Sequence, residues 1–233
     1  METFDKDNRY SNILGWLAFL VTSVALYMVF EYAPTERVMG HIQRLFYFHV
    51  AAAWIAFFAF FVVFVGSIIY LKKRSTFWDN IALASAEIGV AFTTIVLITG
   101  PIWARPIWNA WWTWDPRLTT TLILWFIYIA YIILRASADE SEKKARFAAI
   151  FGIVGFVDVP IVFMSIRWWR TIHPQVIEGG GMNLAPTMVQ TLLVSIAAFT
   201  FIYFYLLLRR VKVEVLKNQV KEMKEELRKL QYN

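Results

Sequence analysis

Six stretches of this chain stay apolar long enough to cross a membrane. A hydrocarbon core about 30 Å thick needs roughly 20 helical residues to span it. Residues 13–30, 46–71, 81–100, 118–134, 147–166 and 186–208 supply such runs. Lipid offers no partner for a free N–H or C=O, so each run has to be helical. The overall apolar share of 59% and the mean hydropathy of +0.52 lie above what soluble domains carry. The expected fold is an all-α integral membrane protein, a bundle of six transmembrane helices over residues 1–208. A polar segment, 209–233, follows it. Residues 1–12 are polar and of mixed charge, and no small-residue cleavage site closely follows the first apolar run. That run is expected to be a retained helix and not a signal peptide.

Six spans put both termini on one side, and the basic residues choose the side. The N-terminal segment, the second and fourth loops and the tail hold 17 of the Lys and Arg residues; the other three loops hold 6. Both termini are therefore expected in the cytoplasm. The net charge of +6 follows from this bias and is no sign of nucleic-acid binding. No Gly-rich phosphate loop is present, so the chain has no ATPase signature of its own. The chain also has no cysteine, which excludes disulfides, thiolate metal sites and covalently attached c-type haem.

On the expected outer side, residues 101–119 form a loop of unusual make-up. Trp103, Trp108, Trp111, Trp112 and Trp114 are five of the chain's 11 tryptophans. Membrane interfaces attract Trp in general, but such a belt spreads over all loops and both faces. Here the cytoplasmic loops offer only Trp78. Arg105 and Arg117 flank the aromatic cluster, as suits a large, flat, partly anionic ligand such as haem. Trp108, Trp111, Trp112 and Asp115 share i, i+3, i+4, i+7 spacing, which suggests a short interfacial helix with one aromatic face. Asp115 precedes Pro116 and an apolar run, the pattern of an N-cap followed by proline in the first helical position.

All three histidines fall on the same outer side. His49 lies about one turn inside the second span, where a polar residue is costly and functional by default. His173 follows Trp168 and Trp169 at a helix exit, and His41 lies in a loop. His49 and His173 reach one membrane level from different helices, so axial ligation of one haem iron by both is the simplest arrangement. Arg44, Arg105, Arg117, Arg167 and Arg170 are candidates to pair with propionates. Two acids lie within spans. Glu87 is expected to snorkel or to pair with a neighbour; Asp158 is expected to satisfy backbone freed by Pro160 or to join a polar path.

Past Leu208 the chain stays helical in pattern. Val213, Leu216, Val220, Met223, Leu227 and Leu230 alternate steps of three and four, which is an a/d heptad rhythm. The tail is expected to be a cytoplasmic C-terminal helix. It is either a solvated extension of the sixth span or one strand of a coiled coil with itself or a partner subunit.

The stretch from Thr99 to Pro106 and on through Trp111-Trp112-Thr113-Trp114-Asp115-Pro116-Arg117-Leu118-Thr119 resembles the "WWD" domain of haem-handling proteins. Six spans, the Tyr47-Phe48-His49-Val50 segment and the Trp168 to His173 segment narrow the resemblance to the CcmC family of cytochrome c maturation. It covers roughly residues 13–208; His41 matches no family motif, and Asp158 stands where an uncharged residue is expected. The resemblance implies non-covalent haem b with His49 and His173 as axial ligands beside the Trp-rich loop. It also implies delivery to a CcmE-like haem chaperone, with a CcmD-like small membrane protein and a CcmA/CcmB-like ABC transporter as partners. The rival is a b-type cytochrome subunit, which would place His pairs deeper in the bundle. A larger haem-ligating relative would carry more spans and more His, and a permease would show an inverted repeat.

Overall fold

A computed structural model describes residues 2–137, 142–174, 177–178, 181–182 and 184–231, with side chains from residue 9 onward except in 177–182. Six helical segments in it are long and apolar enough to cross a membrane: Arg9–Tyr32, His41–Lys73, Thr76–Trp108, Pro116–Ala136, Glu142–Trp168 and Pro186–Gln231. They are built from α1 (Glu2–Tyr27), α2 (Arg44–Lys73), α3 (Thr76–Trp108), α4 (Pro116–Ala136), α5 (Glu142–Phe156), α6 (Asp158–Trp168) and α7 (Pro186–Gln231). A π-helical turn, Met28–Tyr32, prolongs α1, and a 3₁₀ turn, His41–Gln43, leads into α2. The loop after α6 carries a minimal antiparallel hairpin, β1 (Ile177–Glu178) with β2 (Gly181–Met182). Sequence patterning gives no hint of it.

Helix α2 is the centre of the bundle and packs against α3, α5 and α7, while α1 lies mainly on α7. Small residues make the close approach possible. Ala52, Ala56 and Ala59 on α2 are buried in the main core with Ala82 and Ala86 of α3. A Cβ on Gly89 would come 2.5 Å from Phe60 Cε1, so only glycine fits there. Phe60 in turn stacks on Tyr128 of α4.

Two parts of the expected outline need correction. Residues 101–119 are not one loop: α3 continues through Pro101 and Pro106 as far as Trp108. Packing overrides the two prolines, because Trp103 is buried in a second core cluster with Phe46, Tyr47, Met188 and Leu192. The short aromatic helix is also absent. Asn109 takes a left-handed conformation (φ 50°) that ends α3, and residues 109–115 are non-helical. Trp108, Trp111, Trp112 and Asp115 therefore do not line one helical face.

The fifth span is broken at Val157, between α5 and α6. Pro160 has no N–H to continue the ladder, and Asp158 opens the second piece. Asp158 Oδ2 is buried without a hydrogen-bond partner. Glu87 does find a neighbour: Arg210 Nη2 donates to Glu87 Oε1 at 2.8 Å, and Arg210 also pairs with Glu214. On the same side, Arg135 grips Asp79 through two bonds of 3.0 and 2.7 Å. Helix α7 runs unbroken from Pro186 to Gln231, so the tail extends the sixth span; Tyr232 and Asn233 lie outside the described residues.

Candidate functional site

The end of the bundle opposite the Asp79–Arg135 and Glu87–Arg210 pairs is built differently. His49 sits in the second turn of α2, facing α3. Thr99 of α3 donates its one hydroxyl proton to the Ile95 carbonyl, at 2.7 Å. The same oxygen lies 3.0 Å from His49 Nδ1, so there it acts as acceptor and Nδ1 carries the proton. In the neutral ring, Nε2 then keeps its lone pair free. Trp103 lies nearly parallel to the imidazole, with centroids 6.3 Å apart at 16°. Trp103 Nε1 donates to Gln43 Oε1 at 3.4 Å. Gly100 leaves room for the ring, since a Cβ there would meet His49 Cε1 at 3.2 Å.

His173 arrives on irregular chain after α6, and Asp115 holds that chain. Asp115 Oδ1 accepts from the Arg117 peptide N–H at 2.9 Å and so caps α4. Its Oδ2 accepts from Thr171 Oγ1 at 2.7 Å and from the Ile172 peptide N–H at 3.0 Å. Thr171 Oγ1 then accepts from the His173 peptide N–H at 2.9 Å. One buried carboxylate thus ties the start of α4 to the segment that bears His173. The sequence reveals only the capping half of this role.

His173 Nδ1 lies 3.0 Å from the Pro174 carbonyl, which can only accept, so its proton also sits on Nδ1. Trp108 meets the ring edge-on at 6.4 Å. Desolvation, then the Arg117 guanidinium, pushes the His173 pKa down to about 4, so the ring is neutral at pH 7. Both His173 and Arg117 lie within electrostatic reach of His49.

The remaining predicted residues form an outer fringe. Arg105 donates to Asn109 Oδ1 at 2.5 Å, with its guanidinium 5.7 Å from the Trp111 ring centroid. Trp112 and Trp114 meet edge to face at 5.8 Å. Trp111 and Trp114 are 62% and 76% exposed, far more than a packed core would leave them. Arg44 lies over Phe30, and its buried Nε has no hydrogen-bond partner. Arg167 lies over Phe163, Arg170 is exposed, and His41 is exposed in the turn before α2. Thr99, Gly100 and Thr171 are the residues that motif reading did not assign. No signal short of the α2–α3 register and the Asp115 contacts would have found their roles.

Two well-prepared imidazoles are too few to hold a bare metal ion. Among the described residues, no group of three or more His, Cys, Asp and Glu side chains is placed to do so. Two nitrogen donors suit an iron that brings four equatorial ligands with it, as in a porphyrin. The aromatic edge and the nearby guanidinium groups suit the macrocycle and its carboxylates.

A six-span helical membrane protein with a Trp-rich segment and two oriented histidines at one end is the class that the fold defines. The family model described as heme exporter protein C matches residues 3–226. The chain is 34% identical over 218 residues to the heme exporter protein C of Bradyrhizobium diazoefficiens, covering 91% of this chain and 82% of that protein. It is 35% identical over 207 residues to the protein of that name from Escherichia coli, covering 85% and 82%. A ccmC-like mitochondrial protein of Marchantia polymorpha, named for cytochrome c biosynthesis, is 32% identical over 207 residues, covering 87% and 88%. The chain belongs to the CcmC family. The match extends the likeness past residues 13–208 and through most of the tail.

Proposed function

We propose that this chain binds haem b non-covalently at the outer face of the cytoplasmic membrane and hands it to a CcmE-like chaperone for cytochrome c maturation. His49 Nε2 and His173 Nε2 are the axial ligands. The observation that carries this reading is that both Nδ1 atoms are engaged, by Thr99 and by the Pro174 carbonyl, which turns both Nε2 lone pairs loose. The relatives' printed names, for haem export and cytochrome c biosynthesis, support the same cargo. Haem is substrate here and not a redox tool, and the chain performs no bond chemistry of its own.

The protein's residues do three things. Trp103 and Trp108 flank the imidazoles and exclude water from the ligand nitrogens. Arg117, Arg44 and Arg105 offer guanidinium to the propionates. The exposed Trp111 and Trp114 with Trp112 give the chaperone an aromatic docking edge. A CcmD-like small membrane protein and a CcmA/CcmB-like transporter complete the assembly, and ATP is hydrolysed there. The positive-inside count supports cytoplasmic termini and an outer site. An electron-transferring cytochrome b fits less well, because both candidate ligands gather at one end of the bundle.

The test is the visible spectrum of the purified protein. Wild type is expected to show a bis-imidazole Soret band. The His49→Ala, His173→Ala double variant is expected to be folded and haem-free. A normal Soret band in that variant would overturn the ligand assignment.

A further inference from the structure

At about 1.5 Å per residue, the 46 residues of α7 extend about 69 Å, roughly twice the thickness of the hydrocarbon core. The second half must therefore stand clear of the membrane. Its direction is fixed at the base, where Arg210 binds both Glu87 of α3 and Glu214 one turn on. Beyond that clamp run Val213, Leu216, Val220, Met223, Leu227 and Leu230. All six are exposed, from 38% at Leu216 to 74% at Leu230. The stripe begins at a groove lined by Leu206, Arg209, Arg210, Lys212, Val213 and Leu216.

We propose that this stripe is one strand of a two-stranded coiled coil whose other strand is an acid-flanked helix of a different protein. The core positions point to two strands: Val213 and Val220 are β-branched at a, and Leu216 and Leu230 occupy d. The flanking positions choose the partner. The g residues are Lys212, Gln219 and Glu226, and the e residues are Lys217, Lys224 and Gln231. Two copies side by side would place Lys212 against Lys217, Gln219 against Lys224 and Glu226 against Gln231. No pair attracts and one repels, so a second copy of this chain is a poor partner. The Lys217 side chain is 61% exposed and, among the described residues, bonds only to Glu214 of its own helix, so it can turn to a partner carboxylate. A strand with Glu or Asp at the positions facing Lys217 and Lys224 gains two opposite-charge pairs and meets a basic-walled groove at its base. An anionic lipid surface offers charge too, but a helix clamped upright cannot lay its stripe on the bilayer. Two and a half heptads are short for a free coiled coil. The partner is therefore a protein held to the same membrane or complex, where effective concentration is high.

The probe is a synthetic three-heptad helix with Val at a, Leu at d and Glu at every e and g, titrated by fluorescence anisotropy against the full-length protein in non-ionic detergent. It should bind at least about tenfold tighter than its twin with Lys at e and g, a gap of about 1.4 kcal/mol. Leu216→Asp with Met223→Asp should abolish binding while the bundle's thermal unfolding stays put. Lys217→Glu with Lys224→Glu should reverse the preference between the two peptides. Equal binding of both peptides, or binding of neither, overturns the proposal. So does a tail-dependent dimer without peptide, or a tail that binds phosphatidylglycerol vesicles and not the acidic peptide.

Discussion

His49 rides on a helix of 30 residues, whereas His173 stands on irregular chain between α6 and the β1–β2 hairpin. His49 is located by packing: Trp103 on one face, Gly100 at its edge, and Thr99 on Nδ1. Moving it means moving α2 against α3, the most extensive helix contact in the molecule. His173 is located by a relay of hydrogen bonds through Thr171 to Asp115. Each of those bonds contributes about 1 kcal/mol, somewhat more where the carboxylate takes part. Of the two proposed ligands, one is fixed by packing and the other is held by a few hydrogen bonds. On the proposed hand-over of haem to a chaperone, His173 is therefore the ligand expected to leave first.

The sharpest break of this comparison is to delete each proposed ligand singly. His49→Ala should remove haem altogether, because the releasable ligand alone cannot retain it. His173→Ala should keep a reduced amount of five-coordinate haem, which added imidazole converts to a six-coordinate spectrum. If the two single variants behave alike, the asymmetry is wrong.

Next in size is the anchor. Asp115→Ala removes the α4 cap and both bonds to the Thr171–Ile172 segment. Loss of an outer partner of a ligating histidine lowers metal affinity by about 10–100-fold, and the upper part of that range is expected here. Haem off-rates should rise while the His49 side of the site stays intact. Thr99→Val should fall at the lower end, about 10-fold, since α2 still holds the ring in place when Nδ1 loses its acceptor. Thr99→Ser should restore wild-type retention. A larger loss for Thr99→Val than for Asp115→Ala would invert the assignment of fixed and releasable ligands.

Acidity separates the sites from another direction. A solvated imidazole binds a proton below about 6.5, but His173 holds off protonation until about 4. Haem retention should therefore stay flat from pH 8 down to about 5, with no drop near 6.5. Linkage gives the sign for stability. Between about 6.5 and 4 the unfolded chain gains a proton on this residue that the folded chain lacks, so folding weakens as pH falls through that window. In His173→Ala this part of the pH dependence should disappear from thermal melts followed by circular dichroism. If the melts of the variant keep the wild-type slope, His173 is not the group responsible.

The bundle was legible because lipid imposes a length and a polarity that few sequences meet by chance. Asp115 as a cap was legible from Asp115-Pro116-Arg117 alone, a purely local pattern. Its second oxygen serves Thr171, 56 residues away, and no local pattern contains that contact. Glu87 was expected to snorkel or to pair with a neighbour, and its partner Arg210 lies 123 residues further on. The extension of α3 through Pro101 and Pro106 was hidden for the opposite reason: the local rule for proline is strong, and the burial of Trp103 overrode it. The chemical types at the site were visible in the sequence; their mutual register was not.

Gly100 offers the finest probe of how tightly His49 is held. It lies inside α3 with no need for a left-handed backbone, so alanine is allowed there and should favour the helix by about 1 kcal/mol. The added methyl would press on His49 Cε1 from 3.2 Å, closer than ordinary contact. The two effects act on different observables. The melting temperature of the haem-free Gly100→Ala protein should hold or rise slightly. The Soret and low-spin iron signals should shift, because a tilted imidazole meets the iron at a changed angle. If α2 and α3 can slide apart to absorb the methyl, the spectrum will not move, and His49 is then no more rigid than His173.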